Sequence, residues 1–252
     1  MSATISKSKG RRVEMLTARE VLSMKKPQCV MLLWYIVGLL MMGISAFAVS
    51  VLFDMIPQLM ELHWVVRLIP ALVFMIGAVV AHLLSGKKVK WAYVLSYVLN
   101  AVGSGWIVGT LMGVKGISTT WQVILAMLPA LFLGILYCVL VSNVDSSRKT
   151  LTTGIFVGLS VLLLLAGVAM WIWVSALIGC VFLFSALFLL PLPIGINYAL
   201  DMPGDTYRCL SLTGFGAFFL ILFAAIVILS EGDGLDGIDF GGEGRAKKKQ
   251  PK

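Results

Sequence analysis

Long runs without a single Asp, Glu, Lys or Arg alternate along this chain with short charged segments. Such runs extend from Cys29 to Phe53, from Trp91 to Val114, from Gly116 to Val144, from Thr150 to Leu200 and from Cys209 to Ser230. A further apolar stretch, Trp64 to Ser85, is interrupted only by Arg67 and His82. Each run reaches the roughly 20 residues that a helix rising ~1.5 Å per residue needs to cross a hydrocarbon core of ~30 Å.

The run from Thr150 to Leu200 would span about 75 Å as one helix, so it must turn back on itself. The predicted turn lies at Trp171-Ile172-Trp173-Val174-Ser175, where two indoles suit the headgroup level. Seven helices follow, over 29–52, 64–84, 91–113, 121–142, 152–172, 175–197 and 209–230. An outer-membrane barrel would instead show segments of about ten residues alternating apolar and polar. These runs are continuously apolar and twice as long. The predicted fold is therefore all-α: a polytopic transmembrane helical bundle of about seven spans.

Composition agrees with the pattern. The 252 residues are 60% hydrophobic and 13% charged, against about 45–50% and about 25% in soluble domains. So little polar surface means that lipid replaces water around most of the molecule. Three parts are expected: a basic cytosolic segment over 1–28, the transmembrane domain over 29–230, and a flexible tail over 231–252 that is acidic and then basic.

Charge also sets the expected orientation, because Lys and Arg near span ends accumulate on the cytosolic side. Lys7, Lys9, Arg11, Arg12, Arg19, Lys25 and Lys26, then Lys87, Lys88 and Lys90, then Arg148 and Lys149, then Arg208 fall on the side of the N-terminus. Only Lys115 and Arg67 fall opposite. The N-terminus is therefore expected in the cytosol. The basic tail from Arg245 to Lys252 is discordant, but acidic Glu231, Asp233, Asp236 and Asp239 separate it from the last span, and an external tail is expected. The first helix would act as its own insertion signal, and the bacterial plasma membrane is the expected location, with the lipid bilayer and other membrane subunits as partners.

Chemistry-bearing residues are sparse. Cys29, Cys138, Cys180 and Cys209 form no C-x-x-C pair and read as small apolar residues. His63 and His82 lie at opposite ends of the second span, almost 30 Å apart at helical rise, so they cannot share a metal. Both read as interface markers. No nucleophile elbow or metal-binding helix motif occurs, and Gly103 to Gly109 departs from the dinucleotide fingerprint. No enzyme activity, metal, cofactor or nucleic-acid partner is expected.

Three groups of residues remain as candidates. Arg67, one turn inside the external end of its span, is expected to snorkel to the headgroups, and with Asp54 and Glu61 it could line an external vestibule. Ala101, Gly105, Gly109 and Gly113 recur every fourth residue on one face, a spacing that lets another helix approach closely; Gly154 and Gly158 repeat it in the fifth span, so contact between the third and fifth spans is expected. Asn100 lies near the bilayer midplane, where an amide must find a partner. With Ser96 beside it, and Asn197 at the cytosolic mouth below Pro191 and Pro193, it defines a polar path. The expected function is a small permease, or the membrane subunit of a transport system, for a neutral or apolar solute, since no span holds a central Asp, Glu or Lys for ion coupling. The alternative is a scaffold or regulatory subunit.

Overall fold

The computed structural model describes residues 26–85, 89–114, 128–138, 146–173 and 176–232. All regular structure among them is helical: α1 (Lys26–Met55), the short α2 (Gln58–Glu61), α3 (Trp64–Leu84), α4 (Lys90–Val114), α5 (Leu128–Cys138), α6 (Ser146–Trp173), α7 (Ala176–Leu189), α8 (Leu192–Asp201) and α9 (Thr206–Gly232), with a 3-10 turn at Pro203–Asp205. Among the described residues six helical stretches are long and apolar enough to cross a membrane: Pro27–Phe53, Trp64–Leu84, Lys90–Leu111, Thr150–Met170, Phe182–Asp201 and Pro203–Leu229. The expected fourth span is described only over its apolar core, α5; its flanks lie outside the described residues.

The bundle is apolar outside as well as inside. Leu40, Ile44, Phe132, Leu162 and Phe223 are all exposed, whereas Gln28, Ser96, Asn100, Ser104 and Thr110 are buried. A water-soluble fold would put these two sets the other way round. Hydrocarbon around the helices accounts for the exchange, because polar side chains then gain more from one another than from the surroundings.

Helix α4 is the centre. It packs against α1, α3 and α9, and 72% of its apolar window is buried, compared with 22% for α3 and 17% for α6. Its glycines make this possible. A methyl group on Gly105 would strike the Met42 carbonyl oxygen and stand 2.7 Å from Ser45 Cβ, and one on Gly109 would stand 2.6 Å from the Ala46 carbonyl oxygen. The small-residue face of α4 is thus occupied by the backbone of α1. Ser45 Oγ closes the same contact by donating to the Val102 carbonyl at 2.9 Å.

The expected contact between the third and fifth spans is not made through Gly154 and Gly158, where an added methyl group would meet nothing among the described residues within 4 Å. The close approach of α6 falls later in its sequence, at Gly167, where a Cβ would stand 2.8 Å from Leu183 N of α7. Sequence spacing identifies helices able to approach closely; it cannot choose the partner, and α6 pairs with its hairpin neighbour α7.

Helix α5 is pinned antiparallel to α1 at two points. Gln28 Nε2 donates to the Cys138 carbonyl at 3.2 Å, and Tyr35 Oη donates to the Ala130 carbonyl at 3.1 Å. Gly134 lies over the Tyr35 ring, so near that a Cβ would stand 2.6 Å from Cε1. Tyr35 also stacks on Phe188 with ring centroids 5.8 Å apart, and Phe188 meets Tyr97 at 6.4 Å, so one aromatic column ties α1, α7 and α4 together.

The sixth span departs from its predicted end. It breaks at Leu190-Pro191 and resumes as α8, which runs on to Asp201. Neither proline can donate a backbone hydrogen bond, but both are accommodated at a helix start, with Pro191 at the cap of α8. Helix α9 likewise begins before the predicted 209, so Arg208 is exposed in its first turn instead of lying in a loop.

Candidate functional site: two buried polar clusters

Three helices contribute the first cluster. His82 of α3 places Nδ1 2.9 Å from Ser211 Oγ of α9, and Ser211 Oγ donates to Ser96 Oγ of α4 at 2.8 Å. A hydroxyl has one proton. With the Ser211 proton given to Ser96, the contact fits a His82 ring protonated at Nδ1, and the chain runs from His82 through Ser211 to Ser96. Edge contacts with Tyr93 at 5.2 Å and Phe215 at 5.8 Å hold the imidazole in place. Ser85 Oγ donates to the His82 carbonyl and closes the end of α3.

The chain continues along α4. Asn100 Nδ2 donates to the Ser96 carbonyl at 3.1 Å, but Asn100 Oδ1 is buried with no hydrogen-bond partner among the described residues, as is the hydroxyl of Ser104 one turn further on. Residues four apart share a helix face, so Asn100 and Ser104 lie on one side of α4. Gly214 lets α9 close over this region, since a Cβ there would stand 2.9 Å from Tyr97 Cδ2 and 3.5 Å from Asn100 Cβ.

The second cluster joins α5, α6 and α8. Asn197 Nδ2 donates to Thr153 Oγ1 at 2.5 Å, Thr153 Oγ1 lies 3.1 Å from Tyr137 Oη, and Tyr137 Oη lies 3.2 Å from both the Pro193 carbonyl and Asn197 Oδ1. With Thr153 accepting from Asn197 and donating to Tyr137, the tyrosine proton is shared by Pro193 and Asn197. The ring of hydrogen bonds closes on itself, and it secures the broken sixth span within α8, just past the break at Leu190-Pro191. An edge contact with Phe156, 4.7 Å between centroids, seats the Tyr137 ring.

The expected path through Ser96, Asn100 and Asn197 is thus divided between two clusters. Ser96 and Asn100 belong to the first and Asn197 to the second; they flank the contact of α9 with α8, where Gly195 meets Thr213 and Met31. Asn197 is half-buried and held by two side chains, and it is Tyr198 that is exposed.

At the end of the bundle away from the N-terminus, Arg67 Nε donates to the Leu62 carbonyl at 2.7 Å, and the Arg67 carbonyl accepts from Trp106 Nε1 at 2.9 Å. Glu61 is exposed on α2, and the side chain of Asp54 lies outside the described residues. His63 caps α3, its Nδ1 accepting from Val65 N at 3.4 Å. His82, by contrast, is more than an interface marker, because it heads the first polar chain. Sequence reasoning missed that role, together with those of Ser211, Tyr137 and Thr153. No local signal could have shown them: His82 and Ser211 are 129 residues apart in sequence, and Tyr137 and Asn197 are 60 apart.

Cys29, Cys138 and Cys209 form no disulfide among the described residues. Among those residues, too, no three His, Cys, Asp or Glu side chains converge in a way that could hold a metal ion.

Fold and site together define a multi-pass helical membrane protein whose described interior polar groups are neutral. No family model matches the chain, and no curated protein or solved structure is significantly similar to it.

Proposed function

We propose that the protein is a small permease, or the membrane subunit of a transport system, that admits a neutral hydrogen-bonding solute to the α3–α4–α9 cluster. The observation that carries this reading is Asn100 Oδ1 and Ser104 Oγ, two of three buried side-chain atoms without a partner among the described residues, the third being Ser185 Oγ of α7. A polar atom left unpaired in a membrane interior costs several kcal/mol, and a water or a solute that donates to it removes the cost. The solute is neutral because a charged one would need a countercharge, and the described members of the cluster are an amide, three hydroxyls and one histidine.

The test is accessibility. In a background lacking native cysteines, Ser96→Cys and Asn100→Cys are expected to react with a water-soluble thiol reagent in intact membranes, and to be shielded by a transported solute. Complete protection of both positions, in a protein that is correctly inserted, would favour the competing reading.

That reading is a scaffold or regulatory subunit, and the outward apolar faces of α3 and α6 support it, since so little of either helix is buried within the bundle. Under it, gentle solubilisation retains a stoichiometric protein partner, and substitutions on those faces release that partner.

A further inference from the structure

A groove of ≈ 410 Å³ opens between α1, α3 and α4, lined by Met41, Ala48 and Leu52 of α1, Phe74 of α3, and Val102 and Trp106 of α4. Its walls are hydrocarbon apart from Ser45, whose hydroxyl is already committed to the Val102 carbonyl. Small Ala48 and Ser45 form a depression between larger neighbours. From Met41 to Leu52 the groove follows eleven residues of α1, about 16 Å at helical rise, which is the depth of one leaflet of a ~30 Å core. A transmembrane helix from a partner would need a track through both leaflets; a single acyl chain needs only this one.

Beyond the outer end of the groove α3 carries a cation, Arg67, whose Nε donates to the Leu62 carbonyl at 2.7 Å. Arg67 precedes Phe74 by seven residues on α3, two helical turns on nearly the same face and about 10 Å nearer the membrane surface. Side chains on a helix lean toward its N-terminus, which for α3 is this same surface. Trp106, a lining residue, is hydrogen-bonded to the Arg67 backbone, so the cationic rim and the groove wall are one packed unit. An acyl chain laid along the groove places its phosphate at the level of the guanidinium, a group suited to phosphate oxygens.

We propose that this groove seats one acyl chain of an anionic phospholipid whose phosphate is bound by Arg67. The depth of the groove selects a lipid over a helix, and the charge at its rim selects an anionic headgroup over a zwitterionic one.

Native mass spectrometry of the detergent-purified full chain, titrated with phosphatidylglycerol or with phosphatidylcholine of the same acyl chains, tests both halves of the proposal. The unaltered protein is expected to retain one lipid and to prefer phosphatidylglycerol about fivefold, the contribution of one basic residue at an anionic surface. Ala48→Phe fills the depression from an exposed position and should abolish retention of both lipids. Arg67→Gln should keep the acyl chain and lose the preference. Equal lipid retention by Ala48→Phe and the unaltered protein would overturn the proposal, as would a preference that survives Arg67→Gln. Crosslinking of Ala48→Cys to a second protein chain, instead of its reaction with a lipid-borne probe, would overturn it too, by showing that a helix occupies the groove.

Discussion

Replacing Gly105 by Leu is expected to force α1 away from α4 and to lower the thermal unfolding midpoint in detergent by roughly 10 °C, from an overpacking cost of about 3 kcal/mol. That cost lies at the upper end of the usual range because the first atoms in the way are backbone: the Met42 carbonyl oxygen and carbon, with Ser45 Cβ beside them. A flexible side chain could swing aside, but a helix backbone can yield only by moving the helix. Gly109→Leu should behave alike, as its nearest obstacle is the Ala46 carbonyl oxygen at 2.6 Å. Gly154→Leu and Gly158→Leu are the controls. Nothing among the described residues surrounds these positions, so leucine there should leave the midpoint unchanged or raise it slightly through better helix propensity. Thermal unfolding followed by tryptophan fluorescence would separate the two pairs. Equal destabilisation by all four substitutions would contradict the packing of α4 on α1.

The second large effect is expected at Tyr137. Tyr137→Phe removes one hydroxyl that lies within hydrogen-bonding distance of Thr153, the Pro193 carbonyl and Asn197, and a loss of about 1–2 kcal/mol follows, above the membrane average for a single interhelical hydrogen bond. Asn197→Leu should cost less. It takes away the amide donor and the amide acceptor together and leaves Thr153 and Tyr137 still able to pair with each other, whereas Tyr137→Phe leaves Asn197 Oδ1 beside a ring that cannot donate. The two substitutions should therefore be non-additive, with a coupling of about 1 kcal/mol in a double-mutant cycle. Additive losses would mean that the two residues act independently and that the broken sixth span is held by packing alone.

These two predictions concern different kinds of contact, and the difference explains what each asks of the protein. At Gly105 the helices touch because nothing intervenes, so dispersion between close backbones holds α1 on α4. At Tyr137 the helices are held apart by side chains and joined by hydrogen bonds. The first arrangement is rigid and surrounds the central helix. The second supports α8, which starts at Pro191 and Pro193 after the break in the sixth span.

How far the candidate site was legible varies residue by residue. Asn100 stood out because an amide ten residues into an apolar run has no local way to satisfy both its oxygen and its nitrogen. Its nitrogen does find a local partner, the Ser96 carbonyl one turn back, and that contact could be read from i, i+4 spacing. Its oxygen does not find one among the described residues, which depends on how α9 passes over it at Gly214. Asn197 was legible as a polar residue below the proline pair, but its partners, Tyr137 and Thr153, come from two other helices. Arg67 was read as a residue near a membrane surface, and its Nε donates to the Leu62 carbonyl. The groove below it could not be read at all, because its walls belong to three helices.

The sequence by itself determined that the chain is a bundle of membrane-crossing helices, and it located most of their ends to within a few residues. Those features depend on interactions with the solvent and with neighbours one turn away, and an uninterrupted apolar run records both. Only the tertiary structure decided that α4 is the centre, that its glycines receive α1, that His82 reaches Ser211, and that the sixth span runs on to Asp201. In a membrane every outward face is equally apolar, so hydrophobicity does not rank one helix neighbour above another. The choice falls to close packing and to a few polar contacts between residues far apart in the chain.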